Sequence, residues 1–220
     1  TIENLPDLNE TITVPEDIFE ELTAQDASVE GFNPYEQPTV RDLLYGVLLP
    51  SGADACETLA RAVGGSEEGF VAMMNPKAEE LGLTNTHFEN CTGLHNDNHY
   101  STCRDIAVLM SECLKSDTFR EIVTREVYTT EATASHPEGI TLYDTMLHRF
   151  TSYEMSTTLE NGAVIEGGKT GFTDEAGQCL VSFAEYGGEE YILVTAEAMT
   201  DSGSAVDSIA DASTVYGRLQ

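Results

Sequence analysis

Apolar positions recur at helical spacing through the first two-thirds of the chain and at strand spacing through the last third. Thr39-Val40-Arg41-Asp42 has the Ser/Thr-x-x-acid form of a capping box. It predicts a helix through Leu43, Leu44, Val47 and Leu48 that stops at Pro50. A second helix is expected from about Ala53 to Val63, closing on Gly64-Gly65. Ser66 is placed to cap a third, with Phe70, Met73, Met74, Ala78 and Leu81 on one face before Gly82. Pro76 inside that pattern predicts a kink or an early end. A polar, Asn-rich loop follows from Thr84 to Tyr100. Ser101 then caps a predicted helix carrying Ile106, Leu109, Met110 and Cys113, with a short helix over 119–123 beyond it.

The texture changes near Val127. Segments 126–133 and 139–144 read as extended, and three strands are predicted at 163–171, 177–186 and 190–199. Gly187-Gly188 joins the last two as a two-residue hairpin, and 203–217 forms a closing helix. Helices first and strands afterwards predict an α+β fold with an antiparallel sheet rather than a parallel α/β one. The expected division is a helical lobe over about 39–125 and a sheet lobe over about 126–220. Thr1-Ile2-Glu3-Asn4-Leu5 has neither Met nor a cap and reads as the tail of a helix that begins elsewhere.

Charge narrows the function. The 220 residues hold 39 acidic and 10 basic side chains, a net charge of −29 with pI near 4.1. Sequence-independent nucleic-acid binding needs clustered Lys and Arg and is excluded; anionic lipid is disfavoured for the same reason. The acid excess reads as a solvated, self-repelling surface. No apolar run reaches the ~20 residues of a membrane span, and no basic-then-apolar leader is present. Five cysteines, Cys56, Cys91, Cys103, Cys113 and Cys179, form no compact framework. They read mostly as buried free thiols, with one disulfide open.

Two short features carry chemistry. Gly167-Gly168-Lys169-Thr170-Gly171-Phe172-Thr173 ends a strand with a cation and a hydroxyl between glycines, where another backbone carrying a carboxylate has room to approach. Pro50-Ser51-Gly52-Ala53 places a serine on a tight turn between two apolar helices, where the plain structural role is a helix N-cap. Each is a weak signal alone.

Together with their flanks they resemble the penicillin-binding D-Ala-D-Ala carboxypeptidases. The resemblance runs over Thr39–Ala55, Gly65–Leu83, Thr84–Phe88, Gly93-Leu94, His99–Thr102, Arg104-Asp105, Gly168–Thr173 and Asp174–Leu180, in the family's order. It implies a β-lactamase/transpeptidase-like domain in which Ser-x-x-Lys, a Ser-x-Asn triplet and Lys-Thr-Gly converge on one cleft. The first serine attacks the penultimate D-Ala carbonyl, and its lysine acts as base. Carried onto this chain, Ser51 is the second-motif hydroxyl, moving a proton between the active lysine and the leaving amine. Lys169 and Thr170 hold the substrate carboxylate, Gly171 lets the substrate run along the strand edge, and the Phe172 amide is an oxyanion donor. The implied partners are peptidoglycan stem peptides and, as inhibitors, β-lactams, in the extracytoplasmic cell envelope. No cofactor and no metal are implied.

Two departures stand out. Ala53 occupies the position of the second-motif Asn. The lysines are Lys77, Lys115 and Lys169, and three residues before each stand Met74, Glu112 and Glu166, so there is no Ser-x-x-Lys. The expectation is a truncated carboxypeptidase domain that lacks its nucleophile, its N-terminal strands and the start of the nucleophile helix. It exposes a sheet edge through which copies associate. A non-catalytic muropeptide- or β-lactam-binding pseudoenzyme and a related β-lactamase are the alternatives. Cys91, His95, His99 and Cys103, spaced every four residues, match a zinc set on paper. Gly93 and Asn96-Asp97-Asn98 break the helix that would align them.

Overall fold

The computed structural model describes residues 1–198 and 206–220. The chain divides into two compact units, one of residues 1–100 with 127–143, the other of 101–126 with 144–220.

The first unit holds α1 (Ile18–Ala24), α2 (Val40–Leu48), α3 (Ala53–Gly64), α4 (Glu67–Glu80) and a hairpin of β1 (Val127–Thr129) and β2 (Thr141–Tyr143). α3 is its centre, in contact with α1, α2 and α4, and its Ala55, Leu59 and Ala60 are buried. The capping box is present as read: Thr39 Oγ1 accepts from the Asp42 amide, and Asp42 accepts back from the Thr39 amide. Asp42 is fully buried and also accepts from the Tyr128 hydroxyl at 2.9 Å and the Glu131 amide at 3.1 Å. One carboxylate therefore fastens the helix start to the β1 strand, where Tyr128 stacks on Tyr45 at 3.7 Å.

Gly65 closes α3 in the left-handed conformation, φ +78°, as a C-cap glycine does. Ser66 caps α4 by accepting from the Gly69 amide. α4 runs on through Pro76 to Glu80, so of the two outcomes expected at the proline, a kink or an early end, the early end does not occur. Asn75 explains part of this, because its side chain donates to the Phe88 carbonyl and accepts from the Phe88 amide, both at 2.9 Å. Those bonds offset the one amide that proline removes.

The second unit holds α5 (Cys103–Cys113), α6 (Asp117–Val123), α7 (Leu147–Ser152), β3 (Val164–Thr173), β4 (Gly177–Tyr186), β5 (Glu189–Ala198) and α8 (Asp207–Tyr216). Thr102, not Ser101, caps α5. The sheet is antiparallel in the order β3-β4-β5, so β3 and β5 are its edges. Gly187 and Gly188 both have positive φ, +63° and +84°, as a two-residue hairpin of this kind requires. Position 199 of the third predicted strand and 203–205 of the closing helix lie outside the described residues. Alternation along β4 builds two cores. Leu180 and Ala184 meet Ile209, Ala212 and Tyr216 of α8, with Met146 and Phe150. Phe183 meets Met110, Leu114 and Val123 instead, with the Arg120 guanidinium 5.5 Å over its ring. The fold is α+β, as expected. Among the described residues, no helix is long and apolar enough to cross a membrane.

Candidate functional site

The Lys169 motif lies on β3, an edge strand of the second unit. Gly167 and Gly168 are there for packing. A Cβ on Gly167 would sit 2.4 Å from the Val123 carbonyl oxygen, and one on Gly168 would sit 2.5 Å from that of Val181 and 2.8 Å from the Met146 sulfur. Gly171 differs. A Cβ there would find only the Cys179 Cβ at 3.8 Å, an ordinary contact. Nothing within the sheet demands a glycine at 171.

Thr170 is nearly buried, and its hydroxyl lies 2.6 Å from that of Thr145. Lys169 is half-buried, and its ammonium donates to the Thr170 carbonyl at 2.9 Å. Phe172 is exposed. The strand end thus holds a positioned cation, a hydroxyl fixed by a second hydroxyl, and an open glycine.

Asp144, which the sequence reading left at the end of an extended segment, sits beside them. Its Oδ1 accepts from the Met146 and Leu147 amides at 2.9 and 2.6 Å and so starts α7. Its Oδ2 is buried with no hydrogen-bond partner. Burial pushes its pKa up to about 7, against the opposing pull of Lys169 and Arg149. The detectable signal was Asp two residues ahead of an apolar Met146-Leu147 pair, an Asx cap on a helix not predicted.

Ser51 lies in the first unit. It does not cap α3: Gly52 holds the N-cap position, with no side-chain cap bond. Ser51 instead takes φ +67°, sparsely populated for a residue with a side chain. The turn is held from the 28–32 segment. The Ala53 amide donates to the Ser28 carbonyl at 2.8 Å, and the buried Asp54 carboxylate accepts from the amides of Glu30, Gly31 and Phe32. Burial raises Asp54 to about 6 despite those amides. Both carboxylate oxygens of Glu30 are buried against Gly46 and Gly52 without a hydrogen-bond partner. A turn over-determined in this way keeps a strained serine in place.

Cys91, His95, His99 and Cys103, whose spacing matched a zinc set only on paper, have other neighbours. The His99 Nδ1 accepts from the Glu89 amide, His95 pairs with the exposed Asp97, and Cys103 belongs to the second unit. Cys91 lies against Glu57 and Glu67 instead. None of the five cysteines forms a disulfide, and contrary to the expectation of mostly buried thiols Cys103 is exposed and the other four are half-buried. A cavity of about 790 Å³ opens at the other end of β3, among Arg120, Phe150, Met155, Val164 and Glu166; Lys169–Phe172 do not line it.

An antiparallel sheet covered by helices, with a Lys-Thr-Gly edge strand, is the fold of the penicillin-binding enzymes. The Streptomyces K15 DD-transpeptidase superposes with a TM-score of 0.78 at 31% identity, over 96% of this chain and 79% of that one. A penicillin-binding protein homolog from Mycobacterium tuberculosis superposes with a TM-score of 0.74 at 27% identity, over 96% and 74%. Residues 4–200 match the model of peptidase family S11, D-alanyl-D-alanine carboxypeptidase. The chain belongs to that family. Relatives include the D-alanyl-D-alanine carboxypeptidase DacF of Bacillus subtilis, 36% identical over 76% of this chain and 40% of its own length. The D-alanyl-D-alanine carboxypeptidase of Streptomyces sp. K15 is 38% identical over 71% and 54%. The chain therefore spans about half or less of the length of these curated relatives.

Proposed function

We propose that this chain provides the substrate-holding part of a serine-type D-Ala-D-Ala carboxypeptidase acting on peptidoglycan stem peptides in the extracytoplasmic cell envelope. Lys169 and Thr170 bind the terminal D-Ala carboxylate, and Gly171 leaves room for the peptide backbone. The Phe172 amide donates to the oxyanion, and the Ser51 hydroxyl moves a proton to the leaving amine. β-Lactams bind through their acid group at the same strand. The observation that carries this reading is Gly171, a glycine that no neighbour in the sheet requires, next to a held cation and hydroxyl.

With no serine three residues before any lysine, the chain binds substrate without cutting it. That same feature favours a second reading, a non-catalytic binding module. D-Ala release by the protein as purified from its source separates the two. A carboxypeptidase releases it and a binding module does not. A related β-lactamase would instead hydrolyse penicillin while sparing the peptide. We further propose that copies associate along a sheet edge; a monomer in light scattering at high concentration would count against it.

The direct test is titration of the chain with an acyl-D-Ala-D-Ala peptide, free acid against C-terminal amide. A charge-assisted contact of about 1.5–3 kcal/mol predicts roughly 10- to 150-fold tighter binding of the acid, lost in Lys169→Ala. Equal binding of acid and amide sinks the proposal.

A further inference from the structure

Within the first unit, the loop after α4 returns to the α3–α4 pair at Cys91. The Cys91 amide donates to Glu67 Oε1 at 3.0 Å, and its sulfur lies 3.5 Å from Glu57 Oε1. The Cys91 sulfur and one oxygen from each carboxylate all lie within 4.8 Å of one another. The Glu57 side chain is 9% exposed, and its ion pair with the Arg61 Nε is 3.5 Å long. Arg61 makes its shorter contact, 2.6 Å, with Asp17. Two carboxylates and a thiol thus face one another in a half-buried place, where the nearest cation, Arg61, makes only the longer of its two contacts. Such a group is costly as it stands and favourable around a cation.

The geometry points to a divalent cation site of the zinc class, with Cys91, Glu57 and Glu67 as ligands and a fourth position for water. Sulfur with two carboxylate oxygens is a zinc-type donor set. Bonds of about 2.3 Å to sulfur and about 2.1 Å to oxygen at a tetrahedral angle place the two atoms about 3.6 Å apart, and the observed separation is 3.5 Å. Binding replaces the thiol proton by the metal and releases it to solvent. The site would clamp the loop that carries Cys91 onto α3 and α4. It does not depend on the carboxypeptidase reading.

The test loads the chelator-stripped chain with Co²⁺ and then competes with Zn²⁺. The expected result is one ion per chain and a near-ultraviolet thiolate-to-cobalt band, quenched by zinc. Cys91→Ser removes the band, Glu57→Gln weakens binding by about tenfold or more, and Cys113→Ser changes neither. No band in the wild type, or an unchanged band in Cys91→Ser, overturns the site. A measurement on the unaltered chain guards against misfolded variants. Zinc slows alkylation of Cys91 by about tenfold or more and leaves the exposed Cys103 as reactive as before. Equal alkylation of Cys91 with and without zinc also overturns it.

Discussion

Asp144→Asn is expected to stabilise the fold at alkaline pH and to do so far less in acid. In the unfolded chain this carboxyl titrates near 3.8; in the fold, burial raises it to about 7. A folded pKa above the unfolded one means the fold binds the proton more tightly. The stability this provides is complete below the unfolded pKa and is lost as pH rises through the folded one. At pH 8 the displaced titration costs the fold about 4 kcal/mol; at pH 5, where the folded carboxyl is protonated and the unfolded one ionised, it costs about 1.7 kcal/mol. Asparagine keeps an oxygen for the Met146 and Leu147 amides and puts an uncharged amide where Oδ2 has no partner. The variant should therefore gain about 2–3 kcal/mol more over wild type at pH 8 than at pH 5. Urea unfolding of both proteins at the two pH values measures it. An identical difference at both pH values, or a variant less stable than wild type at pH 8, refutes the reasoning.

Further outcomes follow from the same packing. Phe183→Ala empties a fully buried position between Met110, Leu114 and Val123 and should cost about 3–5 kcal/mol in urea unfolding; a loss under about 1 kcal/mol would contradict the two-faced sheet. Gly168→Ala forces a methyl against the Val181 carbonyl and should destabilise by about 1–3 kcal/mol. Gly171→Ala should leave stability unchanged and weaken D-Ala-D-Ala peptide binding, and the reverse pattern would remove Gly171 from the ligand path. With a net charge of −29, the melting temperature should rise as salt is raised from 0.05 to 1 M, because screening relieves self-repulsion. A falling melting temperature over that range would place attractive ion pairs above repulsion.

Local chemistry made much of this fold legible. The Thr39–Asp42 box, the Gly64-Gly65 stop and the Gly187-Gly188 hairpin are each set by neighbours in sequence, and each is present. What sequence alone misjudged depends on distant partners. α4 passes Pro76 because Asn75 bonds Phe88 across the loop. Ser51 takes a positive φ that its neighbours in sequence do not announce, because the Ser28–Phe32 segment holds the turn from outside. α1 and α7 are too short, at seven and six residues, to show a period. In the candidate site, Lys169 through Phe172 were visible as a contiguous motif. Asp144 was not, since an acidic residue in so acidic a chain stands out only once its burial is known; the same holds for Glu57 and Glu67 in their separate cluster with Cys91.

We propose that the β3 edge binds a carboxylate-bearing substrate and that the chain, whose sequence has no Ser-x-x-Lys, is not acylated by it. Fluorescent penicillin tests both halves in one experiment. The expected result is a reversible anisotropy rise under native conditions, competed by an acyl-D-Ala-D-Ala peptide, lost in Lys169→Ala, and leaving no label after denaturation. A covalent adduct on the chain, read as a mass increase equal to the penicillin, would contradict it.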